Sequence, residues 1–106
     1  MKKSLIALGC FGIIAGTQLL KAQDAAKGKA VFDDNCIICH NADSEERKMG
    51  PGLKGVSKRP ELVNGTKVSD KAIGDFVNAG GNGMPGFGDL LSTQEKTDLL
   101  AYLKSL

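Results

Sequence analysis

A chain of 106 residues has room for one domain at most. It carries 14 Lys and Arg against 12 Asp and Glu, a formal net charge of +2, with three cysteines, one histidine and no tryptophan. The charge is unevenly placed. Residues 1–22 hold Lys2, Lys3 and Lys21 and no acid, so residues 23–106 keep 11 basic and 12 acidic side chains, a net of about −1. Both signs interleave there as on an ordinary solvated surface, and no basic patch remains to argue for nucleic acid.

The first segment reads as a secretory leader. Lys2 and Lys3 form a positive n-region, Leu5 to Leu20 is a mainly apolar run, and Ala22 supplies a small residue at the cut. The rival is a membrane anchor. The run is about 16 residues, broken by Gly9, Gly12 and Gly16, whereas a spanning helix needs roughly 20. The expectation is therefore a leader over 1–22 and a domain over 23–106, exported to the periplasm or its equivalent. A retained leader would leave it membrane-tethered; a cleaved one leaves no stable membrane insertion. Ala7-Leu8-Gly9-Cys10 has the look of a lipidation sequence, but too few apolar residues precede it, and Cys10 reads as part of the leader.

Asp24 is a good N-cap, and a helix is expected from Ala25 to about Cys36, with Val31 and Phe32 apolar. Asn41 to Val68 lacks sustained periodicity and reads as loop, with a short helical turn near Pro60-Glu61-Leu62-Val63. Ser69 caps a second helix, Asp70 to Ala79, in which Ile73, Phe76 and Val77 fall at i, i+3, i+4, and Gly80-Gly81 ends it. A glycine-rich loop surrounds Met84-Pro85. Ser92-Thr93-Gln94-Glu95 fits the capping box of a last helix, whose apolar stripe is Leu99, Leu100, Tyr102, Leu103 and Leu106. No alternating strand pattern of useful length occurs. The reading is an all-α domain of three main helices and long loops, with little aromatic material, so a staple or cofactor is expected to complete the core.

Cys36-Ile37-Ile38-Cys39-His40 supplies a candidate. Two cysteines separated by two residues put both thiols on one side of a tight turn, and His40 projects from its end. Such a pentapeptide is the c-type haem attachment signal: the thiols bond two vinyl groups and the histidine reaches the iron. A disulfide or thioredoxin-like pair is the first alternative, but the latter wants a strand–helix context. A closed zinc site is the second, yet residues 23–106 offer no Cys or His outside the pentapeptide.

Opposite His40 the iron either takes a second ligand or stays open. Met49 lies nine residues after His40, on chain expected to wrap the proximal side. Met84 follows a full helix and sits among Gly81, Gly83 and Pro85, where backbone can approach closely. Met84 is thus the expected sixth ligand; the alternative is a methionine that only fills the pocket. His/Met ligation keeps iron six-coordinate and suits electron transfer.

These residues together resemble class I c-type cytochromes, from Asp24 to Leu106. Gly28-Lys29-Ala30-Val31-Phe32 precedes the attachment site at the family's spacing, Met84-Pro85-Gly86-Phe87 is similar to its axial-methionine segment, and Leu99-Leu100-Ala101-Tyr102-Leu103 to its C-terminal helix. The resemblance implies that the Pro51 carbonyl, within Gly50-Pro51-Gly52-Leu53-Lys54-Gly55-Val56, accepts a hydrogen bond from His40. It also implies that Gly28 lets the N- and C-terminal helices cross closely, with Phe32, Leu99 and Tyr102 as plain packing. The implied fold is a cytochrome c-like domain wrapped around one covalent haem c, and the implied function is one-electron carriage, not catalysis. The implied partners are oxidases, reductases or dehydrogenases, met by a monomer in transient complexes. An open distal site would instead imply small-ligand or peroxidase-like chemistry, and a dedicated cytochrome subunit of an exported oxidoreductase is a third reading. Lys48, Lys54, Lys58 and Arg59 form a basic segment after the motif, and Asp33, Asp34, Asp43, Glu45 and Glu46 an acidic one around it; solvated surface is the default for both.

Overall fold

The structure, a computed structural model, describes residues 23–106; the leader, Cys10 and the cut after Ala22 lie outside the described residues. Helix α1 (Ala25–Asn35) starts at Asp24, whose side chain accepts a hydrogen bond from the Lys27 amide. Helix α2 (Asp70–Ala79) starts at Ser69, which accepts from the Ala72 amide. Helix α3 (Thr93–Lys104) starts on a complete capping box: the Glu95 amide donates to the Ser92 hydroxyl at 3.1 Å, and the Ser92 amide donates to the Glu95 carboxylate at 2.8 Å. Each cap satisfies backbone donors that a helix start leaves without intrahelical partners.

Helices α1 and α3 make the dominant contact of the fold. They cross where Gly28 is buried, and Phe32, fully buried, meets the Tyr102 ring at 5.5 Å between centroids with a 57° tilt. Val31, Phe32, Val56, Ile73, Leu91, Leu99 and Leu103 form the core. Val31, Phe32, Ile73, Leu99 and Leu103 come from the expected apolar helix positions, Val56 from a short 3₁₀ turn and Leu91 from a loop, while Val77, Leu100, Tyr102 and Leu106 pack against them half-buried. Among the described residues the only β pairings are two isolated bridges, so the domain is all-α.

One expected element is displaced. The short helical turn is a 3₁₀ turn at Val56–Lys58, started by Gly55 with φ 71°, not a turn near Pro60–Val63. Arg59 precedes a proline and is extended (φ −79°, ψ 156°), which stops helix there. Beyond it Glu61 pairs with Lys67 across a turn closed by Gly65 N–H to the Leu62 carbonyl, with Gly65 at φ 82°. Gly65 takes the left-handed geometry, and the Asn64 side chain accepts from the Thr66 amide to hold the turn.

Candidate functional site

The pentapeptide continues α1 as a tight turn. The Cys36 amide donates to the Phe32 carbonyl (2.7 Å), and the Cys39 and His40 amides both donate to the Cys36 carbonyl (3.1 and 3.0 Å). Both thiols are free and partly exposed. Burial, with a smaller contribution from neighbouring Cys39, pushes the Cys36 thiol up to about 11, so it stays protonated near neutrality. Ile37 and Ile38, between the cysteines, point to solvent.

The chain then folds beneath His40. The Gly50 amide donates to the Cys39 carbonyl (2.7 Å), the Leu53 amide to the Asn41 carbonyl (2.8 Å), and Lys48 Nζ to the Ile37 carbonyl (2.8 Å). This brings the Pro51 carbonyl oxygen 2.7 Å from His40 Nδ1. A carbonyl can only accept, so Nδ1 is the donor, which leaves Nε2 as the nitrogen whose lone pair a metal could use. Gly50 lies flat against the same ring: a Cβ there would stand 2.6 Å from His40 Cε1. Met49 is exposed, with its Sδ accepting a weak bond from the Cys39 thiol at 3.5 Å.

Met84 is held by a two-residue turn. Gly81 and Met84 exchange both backbone hydrogen bonds at 2.9 Å, and the turn residues Asn82 and Gly83 have φ of 54° and 91°. Positive φ at both central positions is what the primed hairpin turn demands, and Asn-Gly is its favoured pair. The loop returns to α2, where the Phe87 and Gly88 amides donate to the Val77 and Asn78 carbonyls at 2.8 and 3.1 Å. Those carbonyls belong to the helix end and lack intrahelical partners, so the loop caps α2 while positioning Met84.

Cys36, Cys39, His40, Pro51 and Met84 all border one cavity of about 360 Å³. Phe32, Leu53, Val56, Leu62, Ile73, Phe76, Val77, Phe87, Leu99 and Leu103 make its walls apolar. Three charged residues at this cavity were not singled out as site residues from the sequence: Arg47, Arg59 and Glu61. Arg59, read there as surface charge, donates from Nη2 to the Gly52 and Lys54 carbonyls at 2.7 and 2.8 Å, which fixes the loop under the site. The available signal was a guanidinium beside a Gly/Pro segment whose carbonyls have no helix to serve.

A helical domain holding a Cys-x-x-Cys-His turn, with a histidine and a methionine bordering one apolar cavity, has the construction of a c-type cytochrome. Residues 23–103 match the family described as cytochrome c oxidase, cbb3-type, subunit III. The chain is 34% identical over 104 residues to cytochrome c6 of Synechocystis sp., covering 93% of this chain and 78% of that one. It is 36% identical over 83 residues to a cytochrome c-553-like protein of the same organism, covering 78% and 70%. The crystal structure of cytochrome c6 from the diatom Phaeodactylum tricornutum superposes with a TM-score of 0.62 at 27% identity, covering 77% of this chain and 92% of that chain.

The chain belongs to the class I c-type cytochromes. It is a one-electron carrier with one covalently bound c-type haem, not an enzyme. The residues present suit that group: the cavity walls are apolar, two free thiols stand at its edge, and the Gly50 backbone makes way for the His40 ring. Among the described residues no helix is long and apolar enough to cross a membrane.

Proposed function

We propose that the thiols of Cys36 and Cys39 would hold the haem as thioethers, that His40 Nε2 and the Met84 thioether would hold its iron, and that the Pro51 carbonyl orients His40. The observation that carries this reading is the single cavity bordered by both thiols, the imidazole and the methionine. When bound, the haem supplies a one-electron iron couple. The chain's own part is to fix both ligands, exclude water with apolar walls, and leave an edge near the surface. Pro51 keeps the histidine tautomer fixed and the ring basic. The Asn82-Gly83 turn keeps Met84 in place in both oxidation states, which keeps reorganisation small.

The proposed setting follows from the leader: residues 1–22 are removed on export, and residues 23–106 work in the periplasm or an equivalent compartment. The proposed partners are an exported dehydrogenase or reductase as donor and a terminal oxidase as acceptor. The match to an oxidase-subunit family supports the latter. Exposed Ile37, Ile38, Met49 and Val63 supply apolar surface at the attachment turn and the cavity rim for transient docking.

The test of ligation is optical. The oxidised protein is expected to show the weak methionine-to-iron band, Met84→Ala to lose it, and the reduced wild type to be indifferent to CO. Retention of the band in Met84→Ala, or rapid CO binding by the wild type, would overturn the assignment.

A further inference from the structure

Asp98 is the one buried charged side chain among the described residues, at 3% exposure, and it takes no part in the haem cavity. It lies on α3 against the first turn of α1. Its Oδ1 accepts from the Asp24 amide at 3.0 Å and from Gln94 Nε2 at 2.9 Å. The ion pairs among the described residues are Lys29–Asp33, Lys71–Asp75 and Lys104–Asp70, so none supplies Asp98 with a cation. A carboxylate taken out of water and served by neutral donors is costly unless positive charge comes near.

The chain itself can bring that charge. Asp24 lies two residues after Ala22, where the leader is read to end, and its amide already touches Asp98. Before a cut, the nitrogen of Gln23 is a neutral amide. After it, the same nitrogen is an α-ammonium one residue before the amide that contacts Asp98. Asp24's own carboxylate is engaged with the Lys27 amide, and the Lys27 side chain is exposed.

We propose that Asp98 receives the amino terminus created by leader removal. Water hydrolyses the Ala22–Gln23 peptide bond, the leader departs with the Ala22 carboxylate, and the protonated α-amine of Gln23 pairs with Asp98. Processing then fastens the start of α1 to α3, the contact on which the fold rests. This inference rests on the export reading above.

The experiment uses the exported, haem-loaded protein, wild type and Asp98→Asn, acylated at pH 7 with labelling of each amine followed by mass spectrometry. An unpaired α-amine titrates at about 7.7–8.0, and a carboxylate partner that raises it by about one unit slows labelling about tenfold. The expected result is a chain starting at Gln23 whose α-amine reacts about tenfold more slowly in the wild type than in Asp98→Asn. Should the variant not fold, the α-amine is titrated by NMR in the wild type, where a value no higher than about 8.0 overturns the proposal. Equal labelling rates, a pyroglutamyl terminus, or another starting residue overturn it too. A full-length mass marks failure of the export reading instead, and the haem spectrum reports separately on the electron carrier.

Discussion

The Cα of Gly28 rests against the carbonyl of Asp98 so closely that a Cβ on Gly28 would overlap that oxygen and stand 2.8 Å from Tyr102 Cβ. The obstacle is helix backbone, which cannot turn aside as a side chain can. Gly28→Ala therefore has to push α1 away from α3 and loosen Phe32 against Tyr102. Overpacking costs about 1–3 kcal/mol, and the better helix propensity of Ala returns at most about 1 kcal/mol. A net loss of about 1–2 kcal/mol is expected, read as a lower midpoint in guanidinium unfolding followed by far-UV circular dichroism.

The capping box gives a smaller stability prediction that is silent for the site. Ser92→Ala and Glu95→Ala each remove one half of a reciprocal pair. Each is expected to cost about 1 kcal/mol, with the double variant costing less than the sum because the two bonds support one another. Neither residue borders the haem cavity, so the reduction potential should not move. A shift in potential equal to that of a cavity variant would show that α3 couples to the site in a way the structure does not suggest.

The sequence was legible where local chemistry decides the outcome. Asp24, Ser69 and Ser92 are caps whose side chains have few better uses, and all three start the helices they were expected to start. The pentapeptide is equally local, since its spacing alone sets the turn. The 3₁₀ turn lies before Pro60 and not over Pro60–Val63, because the proline holds Arg59 extended and so ends a helical turn there. Asp98 could not be read at all as a buried residue. Its burial depends on α1 lying across α3, seventy-four residues away in sequence, and an acid at that helical position looks like solvated surface. Arg59 was hidden for the same reason, because its partners are loop carbonyls that only the folded chain gathers.

Gly80 and Gly65 separate backbone strain from site geometry. Both have positive φ, 72° and 82°. A Cβ on Gly65 meets nothing within 4 Å, whereas one on Gly80 would overlap the Met84 carbonyl oxygen and stand 2.6 Å from the Gly86 amide nitrogen. Gly65→Ala carries a positive-φ penalty of about 1–2 kcal/mol, whereas Gly80, at ψ −169°, lies in a region essentially reserved for glycine, where the strain is about 1–3 kcal/mol. Only Gly80→Ala also displaces the methionine turn. It is expected to weaken the methionine-to-iron band, lower the reduction potential and admit CO to the reduced protein, while Gly65→Ala loses less stability and leaves the spectrum intact. Equal spectra for the two would separate Met84 from the loop said to hold it.

Gly50 makes the complementary prediction on the histidine side, with the opposite sign in potential. A Cβ there would press on His40 at 2.6 Å from Cε1 and 3.0 Å from Nδ1, so the ring must tilt or the loop must retreat. Either movement stretches the 2.7 Å bond from Nδ1 to the Pro51 carbonyl. That bond keeps the imidazole basic, and a more basic ligand favours the higher oxidation state of the iron. Gly50→Ala is therefore expected to raise the reduction potential, provided Met84 stays bound, and to reduce the haem recovered per polypeptide because the attachment turn shares the Gly50 amide through the Cys39 carbonyl. Redox titration against Gly80→Ala is the deciding measurement. Shifts of opposite direction support separate control through the proposed His40 and Met84 ligands, whereas a fall in potential for both variants would mean that Gly50 acts by loosening the whole site.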